Sequence, residues 1–149
     1  MDFEYISGST KQTIRYGRKL GSMLKGGEVL GVSGTLGSGK THLIKGIAQG
    51  AGAKNAGHKV NSPTFCLINE YKGRFDIYHI DAYRLNSLKE FEMLGFDDLC
   101  YPHSVVLIEW ADKIKQALQG INYIRIHLFF TGAHKRKIVL QSAPEYIRL

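Results

Sequence analysis

The tightest constraint on this chain is eight residues long. In "GTLGSGKT", Gly34 to Thr41, two glycines followed by Lys40 and Thr41 fill the pattern G-x-x-x-x-G-K-[ST]. A triphosphate carries several negative charges on closely spaced oxygens, more than side chains alone can surround at hydrogen-bond distance. Glycines at 34, 37 and 39 let the backbone curl so that successive N–H groups point inward, and a following helix adds its positive end. The flanks decide whether this is more than a glycine turn. "EVLGVSG", Glu28 to Gly34, is a short apolar run with β-branched residues and predicts a buried strand. From Gly39, "GKTHLIKGIAQGAG" places Leu43, Ile44, Ile47 and Ala48 at helical spacing and stops in glycines. Strand, glycine loop and helix form the context a phosphate-binding loop requires. Lys40 is then expected to bridge the β- and γ-phosphates, and the Thr41 hydroxyl to ligate Mg²⁺.

Such a metal needs a carboxylate at the end of a neighbouring strand, because Mg²⁺ between phosphates is held by few protein oxygens. Two acids follow apolar runs: Glu109 after "SVVLI" and Asp81 after "FDIYHI". The four apolar residues before Glu109 predict a central strand opening toward the loop, which makes Glu109 the first candidate. Asp81 is the second, through a metal-bound water or by orienting the attacking water. His79 lies two residues before Asp81 and shares its strand face, an incomplete metal site better read as a histidine supporting the acid. Ser62 and Thr64 in "SPTF" follow the loop helix, where a hydroxyl can sense the γ-phosphate or metal, or simply start a strand. Trp110, the only tryptophan, follows Glu109 and is expected on the opposite face, in core packing or beside a nucleotide or partner.

The rest of the chain reads as one α/β domain, residues 1–149, with a mixed sheet and helices on both faces. "EVLGV" and "VVLIE" are expected to run parallel beside the loop. Phe65–Tyr71 and "GRFDIYHID" predict a hairpin, and "YIRIHLFF" and "RKIVLQ" a second antiparallel pair joined through "TGAHK". Helices are expected over Thr10–Lys25, over "SLKEFEMLGF" with Gly95 as its stop, and over "ADKIKQAL". In the first, Ile14, Gly17, Leu20, Gly21 and Leu24 form a narrow packing side, while Lys11, Arg15, Arg18 and Lys25 form a basic stripe, either solvated or a partner or RNA surface. Twenty Lys and Arg against thirteen Asp and Glu give a net charge of +7, which favours polyanions. Cys66 and Cys100 have no zinc-site spacing, and no apolar run reaches membrane-spanning length, so a cytoplasmic protein with reduced thiols is expected.

Five stretches, "GTLGSGKT", "NSPTFCLINEY", "YHIDAYRL", "LGFDD" and "LIEWADKI", in this order and spacing resemble the bacterial tRNA threonylcarbamoyladenosine biosynthesis ATPase family TsaE, formerly YjeE. The resemblance covers roughly Thr10 to Gln141. It implies a small P-loop ATPase needed for N6-threonylcarbamoyladenosine in tRNA, working with the TsaD and TsaB proteins. TsaD transfers the threonylcarbamoyl group, and ATP hydrolysis resets the complex; tRNA is met through that complex. Carried over by residue, it implies that Leu36, Gly37, Ser38, Gly39, Lys40 and Thr41 hold the phosphates and that Thr41 and Glu109 hold Mg²⁺. Asp81 then lies near the γ-phosphate, Thr10 and Asp112 border the nucleotide, and Trp110 and Arg136 match a tryptophan and an arginine of the family. Thr35 stands where the family commonly has an acid and Ser38 where it has alanine, and neither change removes a phosphate-binding group.

Two other readings compete. A small-molecule kinase shares the loop but needs an arginine-bearing lid and an acceptor pocket, and "DAYRL" supplies only Arg84. A nucleotide-gated adaptor with incidental turnover differs little from a partner-activated ATPase, since the chain offers only Arg84 or Arg136 to stabilise transferring charge in cis. No N-K-x-D element is present to read guanine, which favours ATP.

Overall fold

The computed structural model describes residues 1–54, 58–59 and 67–149. Its strands are β1 (Phe3–Ser7), β2 (Val29–Gly34), β3 (His58–Lys59), β4 (Ile68–Lys72), β5 (Asp76–Asp81), β6 (Ser104–Glu109), β7 (Ile124–Phe130) and β8 (Arg136–Gln141). The α-helices are α1 (Thr10–Ser22), α2 (Lys40–Gly50), α3 (Leu88–Met93) and α4 (Phe96–Leu99). All strands join one sheet in the order β1-β8-β7-β2-β6-β5-β4-β3.

The parallel centre is where the apolar runs placed it. β2 pairs parallel with β6, Val29 opposite Val106 and Val32 opposite Glu109, and β6 pairs parallel with β5. Every residue of β6 is buried, as a strand covered on both faces requires. Alternate residues feed two cores. Leu30, Val32, Leu107 and Ile126 pack with Leu20, Leu43, Ile44 and Ile47 of α1 and α2. On the other face Val29, Val106 and Ile108 pack with Phe91, Leu94 and Ile114. The β4–β5 hairpin and the β7–β8 pair are antiparallel as expected.

Five features differ from expectation or were left open by it. "FEYIS" forms β1, an edge strand against β8. β7 also pairs parallel with β2, which joins the antiparallel C-terminal pair to the centre of the one mixed sheet, a strand order that local pattern left open. Helix α1 ends at Ser22, and its buried side is Thr13, Tyr16, Gly17, Leu20 and Gly21, with Ile14 only half-buried. Its glycines allow main-chain contact with α2: a methyl group on Gly21 would collide with the Ile47 carbonyl, and one on Gly46 with that of Ile14. "ADKIKQAL" is a 3₁₀ helix, Ala111–Leu118, broken at Ile114. "SLKEFEMLGF" divides into α3 and α4 around Gly95, whose φ of 73° ends one helix and caps the next.

Among the described residues no helix is long and apolar enough to cross a membrane. Cys100 is a free thiol, and Cys66 lies outside the described residues.

Candidate functional site

The loop after β2 and the first turn of α2 floor a cavity of about 450 Å³ at the carboxyl ends of the central strands. Gly39 caps α2 with φ of 101°, a left-handed conformation that glycine adopts without steric cost, and no side chain occupies the helix end. No acidic residue lies in the first turn of α2, and the nearby Glu109 engages the Thr41 side chain, so the positive end of the helix dipole faces the cavity. Leu36, Gly37, Gly39, Lys40 and Thr41 line this floor. Ser38 is fully buried beneath it, 3.5 Å from the Lys40 ammonium.

Lys40 folds back over the loop. Its Nζ donates to the carbonyls of Gly34 at 2.7 Å and Thr35 at 2.8 Å and sits 3.7 Å from the centre of the Trp110 ring. Burial lowers its pKa, partly opposed by Glu109, Asp112 and Asp81. The ammonium is therefore held by weak, exchangeable partners rather than by a direct carboxylate, an arrangement an anion can displace.

Across the cavity, Thr41 Oγ1 donates to Glu109 Oε2 at 2.9 Å, and His79 Nε2 donates to Oε1 at 3.0 Å. Burial raises the Glu109 pKa, but the hydrogen bonds from His79 and Thr41 and the charge of Lys40 outweigh it, leaving a net lowering. The carboxylate thus stays ionised and oriented although only 8% exposed. This corrects the expected pairing of His79 with Asp81. The two do share a strand face, but His79 reaches sideways to β6, where Glu109 is the neighbour of Asp81 in the parallel register. Asp81 turns the other way: its Oδ1 accepts from the Tyr83 amide at 3.1 Å and Oδ2 lies 3.7 Å from Arg84 Nε.

Trp110 is the second correction. Its φ of 61° breaks the strand alternation, so its ring swings onto the cavity side instead of the opposite face and packs against Tyr83 at 4.8 Å. Arg136 also lines the cavity, donating to the Gly37 carbonyl at 3.3 Å. Thr10 lies at its mouth. Asp112 is anchored by its amide to Ser33 Oγ at 3.2 Å, and neither it nor Asp81 nor Arg84 lines the cavity. Ser62 and Thr64 lie outside the described residues.

Five lining residues escaped the sequence reading: Gly8, Ser9, Thr13, His42 and His134. The serine had one signal, since it caps α1 by accepting from the Gln12 amide at 3.1 Å. His134 had none, because only the β8-β7-β2 strand order carries its loop to the cavity.

Residues 7–138 match the profile of the family described as threonylcarbamoyl adenosine biosynthesis protein TsaE. The chain belongs to the TsaE family. It is 38% identical over 113 residues to the tRNA threonylcarbamoyladenosine biosynthesis protein TsaE of Treponema pallidum, covering 76% of this chain and 82% of that one. With the TsaE protein of Haemophilus influenzae it shares 37% over 136 residues, 87% and 84% of the two chains. The crystal structure of Bacillus subtilis YdiB superposes with a TM-score of 0.71 at 25% identity, covering 99% of this chain and 89% of that one. Membership ties the chain to threonylcarbamoyladenosine biosynthesis, and the YdiB likeness accords with the P-loop α/β fold.

Proposed function

We propose that this protein is a Mg²⁺-dependent P-loop ATPase that serves threonylcarbamoyladenosine modification of tRNA together with TsaD and TsaB, by binding and hydrolysing ATP rather than by transferring the group itself. The observation that carries the reading is the pairing of a loop lysine held by two carbonyls, the Ser38 hydroxyl and an aromatic ring, with no carboxylate among its hydrogen-bond partners, with a Thr41–Glu109 oxygen pair 2.9 Å apart. The residues fit the metal: both donors are hard oxygens, the kind that hold Mg²⁺ where a substrate's phosphates would supply further ligands. Among the described residues no group of three or more His, Cys, Asp or Glu is placed to hold a metal alone. Thr41 and Glu109 would hold such a Mg²⁺, which would supply charge stabilisation to the transferring phosphate.

The chain's own residues supply the remainder. Loop N–H groups and the α2 dipole hold the phosphates, and Lys40 exchanges the Gly34 and Thr35 carbonyls for phosphate oxygen. His79 keeps the Glu109 carboxylate turned toward Thr41. Arg136, at the loop, is the better placed of the two cis arginines, while Arg84 points at Asp81. Asp81 beside Glu109 is the group available to orient the attacking water, provided it leaves its cap on Tyr83.

With one arginine in reach, turnover by the isolated chain is slow, and a partner that completes the charge stabilisation accelerates it. Phosphate release by the purified protein, alone and with TsaD and TsaB, tests this. A rise with both partners supports the proposal; transfer of phosphate to a nucleoside or sugar acceptor instead establishes the kinase reading.

A further inference from the structure

We infer that the outer face of the α1–α2 layer is an RNA-binding surface, with phosphates along α1 and an unpaired base in the recess beside Tyr5. The net charge of the chain is not evenly spread. Between Gly8 and Asn69 there are nine Lys and Arg and a single acid, Glu28, whereas the remaining residues carry eleven basic and twelve acidic groups. The whole positive excess therefore belongs to the segment that builds α1, the phosphate loop and α2.

Neither α1 nor α2 contains an acid. Lys11, Arg15, Arg18 and Lys19 on α1 and Lys45 on α2 are exposed, and among the described residues none of the five is in an ion pair. The helices lie in contact through their glycines, and Arg18 Nε bridges them by donating to Gln49 Oε1 at 2.8 Å, so the cations form one face. Along α1 Lys11, Arg15 and Lys19 recur every fourth residue, roughly 6 Å apart, with Arg18 beside the last, a row that can follow a phosphate backbone.

Beside this row is a recess of about 290 Å³ whose lining includes Arg15 and Lys19. Its aromatic wall is Tyr5 stacked flat on Tyr16, 4.3 Å between centroids and 8° between planes. The acid in its lining, Glu4, faces Lys137 at 3.5 Å. A planar aromatic wall flanked by two cations matches a base with its phosphates better than it matches an acidic peptide.

The test is fluorescence anisotropy of a labelled tRNA transcript, without nucleotide, across a salt series. Arg15→Glu/Lys19→Glu is compared with Lys89→Glu/Lys115→Glu, an equal charge change at exposed sites on the α3 side of the sheet. The first pair is expected to weaken binding more than tenfold and to reduce the salt slope by about 1.5; the second should change affinity less than twofold. Equal losses from both pairs, or none from the first, overturn the inference. So does a first pair that leaves tRNA binding intact but abolishes association with TsaD and TsaB, which would make the face a protein dock. The inference uses the tRNA-modification reading only to choose its probe. ATP titration of the same variants keeps failure of this surface separate from failure of the nucleotide site.

Discussion

Replacing Glu109 separates its structural from its chemical duty. The carboxylate accepts from both His79 and Thr41, but the two donors differ in exposure: His79 is 8% exposed, whereas Thr41 faces solvent. In Glu109→Ala, Thr41 recovers water and His79 does not, so one buried polar group is stranded at a cost of about 1–3 kcal/mol. Glu109→Gln keeps the shape: its amide oxygen accepts from one partner and its N–H group donates to the other, which limits the loss to less than about 1 kcal/mol. At about 2–4 °C per kcal/mol for a chain this long, Ala lowers Tm by roughly 2–12 °C and Gln by less than about 4 °C. Turnover behaves differently, because neither variant supplies an anionic oxygen to Mg²⁺. A loss of about 3 kcal/mol of charge stabilisation slows phosphate release by roughly 100-fold in both. Thermal unfolding followed by circular dichroism, with phosphate release at saturating Mg²⁺ and ATP, reads the two effects apart. A Gln variant that keeps more than a tenth of wild-type turnover refutes the metal role of Glu109 and transfers it to Asp81.

Other consequences follow from the same geometry. His79→Ala removes the bond that orients Glu109, and turnover is expected to fall about 10–100-fold with Mg²⁺-free ATP affinity little changed; equal loss in both would mean that His79 only supports the fold. The lowered pKa of Glu109 contributes stability that is fully present above its unfolded value of about 4.3 and lost as pH falls through the lower folded value. Glu109→Gln should therefore flatten the acid limb of Tm against pH, and an unchanged limb would contradict the hydrogen-bond account. Withdrawal of the Lys40 ammonium from the ring of the only tryptophan should change its emission when ATP binds, and a constant spectrum at saturation would show the lysine stays in place. Gly21→Ala forces α1 off the Ile47 carbonyl and should cost about 1–3 kcal/mol, measured by denaturant unfolding.

The parts of this structure that could be read from the chain are those written by local pattern. Continuous apolar runs before Gly34 and Glu109 marked buried parallel strands, and the turn after Lys72 marked a hairpin. The strand, glycine loop and helix from Val29 to Gly50 were legible because a loop of that backbone shape demands particular residues at fixed spacing. What failed was side-chain direction at strand ends. Alternation placed Trp110 away from the site, but the left-handed residue that ends β6 reverses it. Alternation also joined His79 to Asp81 along one strand, whereas its hydrogen bond runs across to the next. Contributions from far along the chain, such as His134 and Gly8, depend on strand order, which no local signal records.

The claim at the centre of this account is that a curled main chain and Lys40 bind the polyphosphate of ATP. Isothermal titration calorimetry of the full chain with ATP, with and without Mg²⁺, tests it most directly when Lys40→Ala is run alongside. The account predicts saturable heat at one site, altered by Mg²⁺ in wild type and abolished by the substitution. Heat that is absent from folded wild type, or undiminished in Lys40→Ala, would contradict it.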